Sequence, residues 1–292
     1  MSPEGLLYFT DVTVGKYAGE IWKYNPQTGK AVVFRSPSAK ANGLIFDAEG
    51  NLLAAEGADS GGRRITRTDI KTGVSVIFAD NFRGKLFNAP NDIVVDMRGR
   101  IYFTDPRYLG DESIEQPFMG VYRIDLDGSV HLIAANATKP NGIAISPDQK
   151  TLYVANNDGP GAGIYGAVPE GFTGPVSTKQ NEALLEYELL PDGSLKFKKQ
   201  LIDLKNEGPD GIKVDREGNI YLALADSKKI AIYSSQGEKL AEIKIPVKEG
   251  IVTNLCFGRG KYSKTLFITA TKTLYMIETK KEGFHIPFKQ IR

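Results

Sequence analysis

One pattern recurs five times along the chain and limits the fold more strictly than any other feature. Each copy begins with Asn or Asp, enters an apolar run, turns at a tetrad that usually holds Asp and Gly, and continues into a second apolar run. The copies start at Asn42, Asn91, Asn141, Asp210 and Asn254. Their spacing of roughly 45–70 residues is close to the length of a propeller blade.

The residues between the copies favour further strands. Residues 120–125 and 185–189 are rich in Val, Leu, Ile and Tyr, and Asp-Gly turns follow them at 127–128 and 192–193. This composition is typical of β-structure, and no long apolar stripe with a 3.6-residue period indicates helices. Four strands per repeat predict an all-β fold closed radially as a β-propeller. A parallel β-helix is the competing architecture, but its repeats would be shorter and more uniform.

The N-terminal residues match only part of the repeat. Residues 6–11 and 21–25 correspond to its second and third strands, whereas residues 2–5 already form the turn. We therefore predict a six-bladed propeller with four-stranded blades, built as a single domain over residues 1–292, in which the inner strand of blade one is missing. We expect the natural start to lie upstream; the alternative is that residues 284–288 fill the slot.

Charge and apolar patterning exclude several classes of partner. The chain has 37 Lys and Arg against 35 Asp and Glu, without a long basic run, so nucleic-acid binding is not expected. Its single cysteine, Cys256, cannot form an intrachain disulfide. No apolar stretch is long enough to cross a membrane, and no signal peptide is visible. These features predict a cytoplasmic protein, although an upstream segment could carry a targeting signal.

The start of each repeat collects side-chain oxygens. The first strand of a propeller blade lines the central channel, so residues at one repeat position meet near the axis. Asn91, Asn141 and Asp210 share this position in blades three to five, and Asn42 and Asn254 are placed there in blades two and six. Oxygen ligands suit calcium, whereas zinc prefers the His and Cys that are scarce here. The alternative is that these residues only form turns by bonding their own backbone.

At these residues the chain resembles the gluconolactonase branch of the family that includes senescence marker protein and luciferin-regenerating enzyme. The order and spacing of the motifs carry this resemblance over nearly the whole chain. The motifs are Asn-Ala-Pro-Asn-Asp at 88–92, Tyr-Phe-Thr-Asp-Pro at 102–106, Lys-Pro-Asn-Gly at 139–142, Gly-Pro-Asp-Gly at 208–211 and Thr-Asn-Leu-Cys-Phe-Gly at 253–258.

The resemblance implies a six-bladed propeller with one divalent cation on its axis. It places Asn141 and Asp210 among the metal ligands, with Asn91 close to both metal and substrate. Calcium is the expected ion, and zinc, magnesium and manganese are alternatives. The chain departs from the family pattern twice. The segment with the first ligand, a Glu, is missing, and Glu4 is not its equivalent; the His that often follows Glu56 is replaced by Gly57.

These residues predict hydrolysis of a small ester, with a sugar lactone as the preferred substrate. The cation would polarise the carbonyl, Asp210 would activate water as general base, and Asn91 would help to hold substrate and metal. His131 and His285 lie outside the repeat starts, so we expect structural or surface roles for them. The chain has no nucleophile elbow for a serine hydrolase and no dinucleotide-binding fingerprint.

Substrate selection is expected in two long loops, residues 106–119 and 157–181. Beside the first loop, Asp105, Arg107 and Tyr108 are candidate contacts to a polyhydroxy substrate; the alternative for them is a turn and ordinary surface groups. Glu56 is expected to be structural. We expect a small-molecule substrate, no nucleic-acid or membrane partner, and a monomer or weak homo-oligomer.

Two other functions fit the same fold. A phosphotriesterase could use the same cation, with Asp210 acting as nucleophile rather than base. A non-catalytic interaction scaffold is the second alternative, because propellers host many functions on one frame.

Overall fold

Short β-strands make up nearly all of the regular structure. The computed structural model describes residues 1–12, 15, 17–159 and 181–289. The one helical element among them is a 3₁₀ turn, Gly260–Tyr262. The strands are β1 Leu7–Asp11, β2 Glu20–Asn25, β3 Lys30–Arg35, β4 Ala41–Phe46, β5 Leu52–Glu56, β6 Arg64–Thr68, β7 Ser75–Ala79, β8 Asn81–Phe82, β9 Lys85–Leu86, β10 Ile93–Val95, β11 Ile101–Asp105, β12 Gly120–Ile124, β13 Val130–Ala134, β14 Pro140–Ile145, β15 Thr151–Asp158, β16 Asn181–Leu189, β17 Leu195–Asp203, β18 Pro209–Val214, β19 Ile220–Leu224, β20 Lys229–Tyr233, β21 Lys239–Lys244, β22 Val252–Phe257, β23 Thr265–Ala270 and β24 Thr273–Glu278.

The strands pair in chain order into six antiparallel sheets. Four sheets have four strands each, namely β4–β7, β10–β13, β14–β17 and β18–β21. The first sheet, β1–β3, has three strands, and β8–β9 form a separate ribbon. The last sheet, β22–β24, also has three strands among the described residues, where the repeat predicted four. Consecutive pairing follows from the short turns that join the strands.

The described chain divides into two compact units with three sheets each. One unit comprises Met1–Lys139 with residues 286–289, and it contains the first three sheets and the ribbon. The other comprises residues 140–159 and 181–285 and contains the last three sheets. Each unit has its own core. Phe87, Phe103 and Tyr122 pack ring against ring in the first, and Tyr221 and Phe257 do so in the second.

Strand composition follows position within each sheet. The middle strands β5, β11, β12 and β19 are buried along their whole length, which explains their continuous apolar runs. The outermost strand β21 is largely exposed and carries Lys239 and Lys244. Lysines on an edge strand discourage pairing with another chain. Within the described ranges, no helix has the length and apolar character needed to cross a membrane.

The Asp-x-x-Gly tetrads are tight turns between the first and second strands of a sheet. Asp96 accepts the N–H groups of Arg98 and Arg100, and Asp215 accepts those of Glu217 and Asn219, all at 2.9 Å. The turn glycines Gly50, Gly99 and Gly218 have φ values of +85°, +88° and +86°. Only glycine adopts this conformation without strain, so the tetrads set where each hairpin reverses.

The C-terminal segment does not supply the inner strand of the first sheet. The N–H of Phe284 donates to Val214 O at 3.0 Å, and Phe288 packs edge-on against Phe46 at 6.3 Å between ring centroids. Among the described residues, β1 pairs with β2 alone. The prediction that residues 284–288 fill the slot is therefore wrong, because their bonding partners lie on other strands.

Candidate functional site

The first strand of each repeat carries a β-bulge at the predicted site position. In β14, Pro140 faces Asn156 and Ile143 faces Val154, so Asn141 and Gly142 together face the single residue Ala155. The same shift occurs in β4 at Asn42-Gly43 and in β18 at Asp210-Gly211. Before β10, Asn91 and Asp92 both bond to the backbone of Thr104. A bulge re-aims the side chain that it carries, and bulges are frequent beside active sites.

The bulge corrects one residue of the predicted alignment. In β22, Val252 faces Ala270 and Leu255 faces Ile268, so Thr253 occupies the first bulge position and Asn254 the second. The first bulge position is thus held by Asn42, Asn91, Asn141, Asp210 and Thr253, and the second by Gly43, Asp92, Gly142, Gly211 and Asn254. The placement of Asn254 with Asn91 was wrong by one residue.

Asn254 instead repeats the bonding of Asp92. The Oδ1 atom of Asp92 accepts the N–H of Ile93 at 2.9 Å, and the Oδ1 atom of Asn254 accepts that of Leu255 at 2.8 Å. The backbone carbonyl of each residue also accepts a hydrogen bond from a threonine hydroxyl on the facing strand. These side chains serve the local backbone, which is the turn-forming alternative considered for the whole position.

Glycine at the second bulge position lets neighbouring first strands approach closely. A Cβ on Gly142 would lie 2.1 Å from Asp210 O, and one on Gly43 would lie 2.6 Å from Asn91 O. The N–H of Gly43 also donates to Asn91 O at 2.7 Å. The structure therefore brings Asn141 beside the strand of Asp210 in one unit, and Asn42 beside Asn91 in the other.

Asn42 and Asn91 line a small pocket together with Lys40 and Tyr108. Its volume of about 50 Å³ is far below the roughly 300 Å³ at which ligand pockets begin, so it holds only part of a sugar-sized ligand. A larger cleft of about 840 Å³ lies between the β8–β9 ribbon and β13, and none of the predicted site residues lines it. We base the site on the bulges, because none of the bulge residues lines the larger cleft.

Asp105 and Arg107 are buried completely, which corrects their expected contact with substrate. Asp105 accepts the N–H groups of Asn88 and Ala89 at 2.8 and 2.7 Å. Arg107 donates to Asn88 O at 2.8 Å and to Glu112 O at 2.7 Å. Both side chains are thus engaged in holding loops, and the buried chain of Arg107 is not the ordinary surface group of the alternative either.

Burial raises the pKa of Asp105 to about 7, while the N–H donors of Asn88 and Ala89 and the guanidinium groups of Arg107 and Arg63 lower it. The raised value means that this carboxyl changes charge near neutral pH. Its two backbone bonds gain strength when it is ionised, since a charged acceptor bonds more strongly than a neutral one.

Two buried lysines beside the site escaped the sequence reasoning. Lys40 and Lys139 are each 2% exposed, and each stands two residues before an Asn at the first bulge position. Lys40 Nζ donates to Gly15 O at 2.8 Å and pairs with Asp59 at 3.3 Å. Lys139 Nζ lies 4.8 Å from the centre of the Tyr108 ring. The shared Lys-x-Asn spacing was the signal that could have found them.

Tyr108 is the one member of the predicted substrate-binding trio that reaches the pocket with part of its surface exposed. Its hydroxyl donates to Lys139 O at 3.1 Å, and its ring lies under the Lys139 ammonium group. A cation over an aromatic face is attracted by the ring quadrupole. Tyr108 is therefore held by Lys139 as a fixed wall of the pocket.

The donor groups fit a hard cation. Asn141 and Asp210 lie at the same bulge position on adjacent strands, and they offer an amide oxygen and a carboxylate, the ligand types that calcium and magnesium prefer. Among residues 1–12, 15, 17–159 and 181–289, no three His, Cys, Asp or Glu side chains gather as a metal site. Glu4 is exposed in the turn before β1, as expected for a residue that is not the first ligand.

The remaining predictions concern groups away from the bulges. His131 is exposed and lies 3.1 Å from Asp125, whereas His285 is half-buried and bonds to the carbonyls of Phe257 and Gly258. Burial lowers the pKa of His285 well below its usual value, so it is neutral and structural. Glu56 is fully buried and structural as expected, since it binds Arg35, Arg64 and Thr66. Most of the second loop, residues 160–180, lies outside the described residues.

Comparisons with known proteins identify the family of the chain. Residues 1–272 match the family described as the SMP-30/Gluconolactonase/LRE-like region. A gluconolactonase from Zymomonas mobilis is 33% identical over 258 residues, which cover 86% of this chain and 65% of that relative. The chain thus spans less than two thirds of the relative's length.

Solved structures show the fold. A gluconolactonase from Xanthomonas campestris has a TM-score of 0.75 and 26% identity, and the match covers 96% of this chain and 82% of that one. A regucalcin from Agrobacterium tumefaciens, described as a calcium-binding protein, has a TM-score of 0.71 and 17% identity, over 98% of this chain and 90% of that one. The predicted fold class, an all-β six-bladed propeller, is confirmed, and the six sheets are its blades.

Proposed function

Because the chain belongs to the SMP-30/gluconolactonase/LRE-like family, we propose that it hydrolyses small cyclic esters, with a sugar lactone as the preferred substrate. The observation that carries the proposal is the shared bulge, which sets Asn141 and Asp210 side by side on adjacent strands. An amide oxygen and a carboxylate held in this way suit ester hydrolysis assisted by a cation. The gluconolactonase relative supports the choice of a lactone.

Asn141 and Asp210 would hold the cation, with Asn91 as the further ligand that the family resemblance implies. Calcium is the ion that we propose, because all three side chains offer oxygen and none offers nitrogen or sulfur in the form that zinc prefers. Magnesium and manganese share the preference for oxygen and, with zinc, stay alternatives. When bound, the cation would polarise the ester carbonyl and stabilise negative charge on its oxygen.

The chain's own residues have distinct roles in the proposal. Asp210 accepts a proton from the attacking water, since it is the one carboxylate at the first bulge position. Asn91 holds the lactone through its amide, and Tyr108 forms a wall beside it. Asp105 and Arg107 act indirectly by shaping the loops. The single-domain organisation, the monomeric or weakly homo-oligomeric state and the cytoplasmic location stay predictions.

The test compares Asp210→Asn with Asp215→Asn, two carboxylates of the same β18–β19 hairpin. Hydrolysis of five- and six-membered sugar lactones is followed by acid release with calcium present. We expect kcat/KM to fall by about 10²–10⁴-fold in Asp210→Asn, because the general base is lost. Asp215→Asn keeps one oxygen for the turn N–H groups and replaces the oxygen that accepts from Asn219 Nδ2. It should lower stability but leave kcat/KM of the folded enzyme within twofold.

Full lactonase activity in Asp210→Asn would remove Asp210 from the mechanism. Absence of lactone hydrolysis by the wild-type chain, with calcium, magnesium, manganese or zinc, would overturn the proposed function as a whole. In that case the interaction scaffold becomes the better explanation of the fold.

A further inference from the structure

A buried carboxylate fixes the segment that leads into Asn91. Asp105 ends strand β11, is 0% exposed, and uses both of its oxygens to accept backbone N–H groups. The donors are Asn88 at 2.8 Å and Ala89 at 2.7 Å. Two bonds to consecutive N–H groups set the direction in which the chain enters Pro90 and Asn91. The carboxylate is therefore placed to control Asn91 through the two residues that it binds.

Two guanidinium groups hold the same segment from its carbonyl side. Arg107 donates to Asn88 O at 2.8 Å, and Arg63 donates to Phe87 O at 2.7 Å. Both arginines are buried, with exposures of 0% and 7%. Both N–H and C=O groups of the backbone at residues 87–89 are thus hydrogen-bonded. This leaves the backbone before Asn91 little freedom to move.

Several buried polar groups lie around Asp105. Four buried polar atoms of its neighbours have no partner among the described residues: Arg63 Nη2, Asn88 Oδ1, Arg107 Nε and Tyr122 OH. Three of these atoms are donors or carry a hydroxyl. Unpartnered buried groups are costly, so removing the carboxylate would leave the N–H groups of Asn88 and Ala89 without their acceptor.

We propose that Asp105 is a positioning residue of the proposed lactonase: its carboxylate holds the N–H groups of Asn88 and Ala89 and thereby fixes Asn91 at the site. The inference rests on the proposed function for its catalytic consequence. We call the bonds of Asp105, Arg63 and Arg107 to residues 87–89 the clamp. Its geometry does not depend on the proposed function, because every bond in it joins described residues of one unit.

The clamp should depend on pH. The charged and titratable groups that face Asp105 are Arg63, Arg107 and Tyr122. Burial raises the pKa of Asp105 to about 7, and burial followed by the charge of Asp105 raises that of Tyr122, so Tyr122 stays neutral. Ionisation of Asp105 strengthens both N–H bonds, so kcat/KM should rise with pH through this range.

The test uses Asp105→Asn, which keeps the size of the side chain but offers only one acceptor oxygen. We expect kcat/KM to fall by about 10- to 100-fold, mostly through kcat, because a small displacement of Asn91 misaligns the substrate. The rise of activity near pH 7 should also disappear. The amide NMR signals of Asn88, Ala89 and Asn91 should titrate together in the wild type and lose that titration in the variant.

The matched control is Asp96→Asn. Asp96 is equally buried and accepts backbone N–H groups, but it lies at the opposite end of the β10–β11 hairpin. The Asp96→Asn variant should be less stable than the wild type. It should keep the wild-type pH profile of kcat/KM and the wild-type amide NMR signal of Asn91. If Asp105→Asn does not fold, the wild-type titration of the three amides against kcat/KM decides the matter.

Two results would overturn the inference. One is a pH profile of kcat/KM in Asp105→Asn that matches the wild type, and the other is an Asn91 amide NMR signal that moves no more in Asp105→Asn than in Asp96→Asn. If the wild type hydrolyses no lactone, the proposed function fails, and the NMR comparison still decides whether Asp105 positions Asn91.

Discussion

The two ends of each inner hairpin use the same residue types for different purposes. At the turn end, Asp96 and Asp215 accept backbone N–H groups at 2.9 Å and close the hairpin. At the bulge end, Asn141 and Asp210 lie on adjacent strands that approach closely over glycine. An Asp that precedes a Gly in sequence thus closes the turn at one end of the hairpin. At the other end it is a candidate metal ligand.

The difference lies in what surrounds each residue. The turn Asp completes the bonding of its own loop, which satisfies its oxygens locally. The bulge inserts an extra residue opposite a single partner and turns the side chain out of the regular alternation of the strand. Asn254, at the second bulge position, bonds locally like the turn Asp, since its Oδ1 atom accepts the N–H of Leu255.

The largest effect is expected from Gly142→Ala, which tests the bulge end directly. The added Cβ would lie 2.1 Å from Asp210 O, so β14 and β18 must move apart. We expect a loss of about 1–3 kcal/mol in the free energy of unfolding, from overpacking. We also expect at least about a 100-fold loss of kcat/KM, from displaced site residues. Urea denaturation and lactone hydrolysis measure the two quantities.

Gly218→Ala is the control at the turn end. Its φ of +86° strains an alanine, but a Cβ there meets nothing within 4 Å. It should cost about 1–2 kcal/mol and leave kcat/KM unchanged. Equal loss of activity in both variants would mean that the two ends do not differ in function.

An intermediate effect is expected from calcium on thermal stability. A ligand that binds only the folded state at 100 times its Kd stabilises it by about 2.7 kcal/mol, or about 5 °C in Tm for a chain of this size. The wild type and Asp215→Asn should both show this shift, whereas Asp210→Asn should not. A full shift in Asp210→Asn, measured by differential scanning fluorimetry, would exclude Asp210 as a ligand.

The smallest effect is expected from the pH dependence of Asp105. Its pKa rises from an ordinary 3.8 to about 7 on folding, so between these values the folded protein keeps a proton that the unfolded chain releases. Stability from this group is therefore full below pH 3.8 and declines as pH rises through about 7.

Relative to Asp105→Asn, the wild type should lose about 2 kcal/mol of unfolding free energy between pH 5 and pH 7. Urea denaturation at both pH values gives the difference in unfolding free energy between the wild type and Asp105→Asn, and the change of this difference with pH is the quantity tested. Asp96→Asn serves as the reference. A constant difference across this range would show that Asp105 is ionised throughout, and it would also remove the expected rise of activity.

Several predictions came directly from local chemistry. The Asp-x-x-Gly tetrads fixed the hairpins because only glycine tolerates the positive φ at Gly99 and Gly218. The apolar runs predicted β5, β11 and β19 nearly to the residue. Local turn chemistry and strand composition act over a few residues, so they are readable without the fold.

Other features depended on partners distant in sequence. Nothing near Asp105 or Arg107 shows that they bond to Asn88 rather than to solvent. A bulge adds one residue without changing composition, so Thr253 and Asn254 could be exchanged in the predicted alignment. The missed lysines, Lys40 and Lys139, share a Lys-x-Asn spacing, but their burial depends on the fold.

The sequence by itself determined the repeat, the turns, the all-β class and the family, because each of these is written in local residue patterns repeated along the chain. Tertiary structure alone decided the register of each bulge and the distant loops that Asp105 and Arg107 bind. The physical reason is that strand register and burial are set by contacts between residues far apart in the chain.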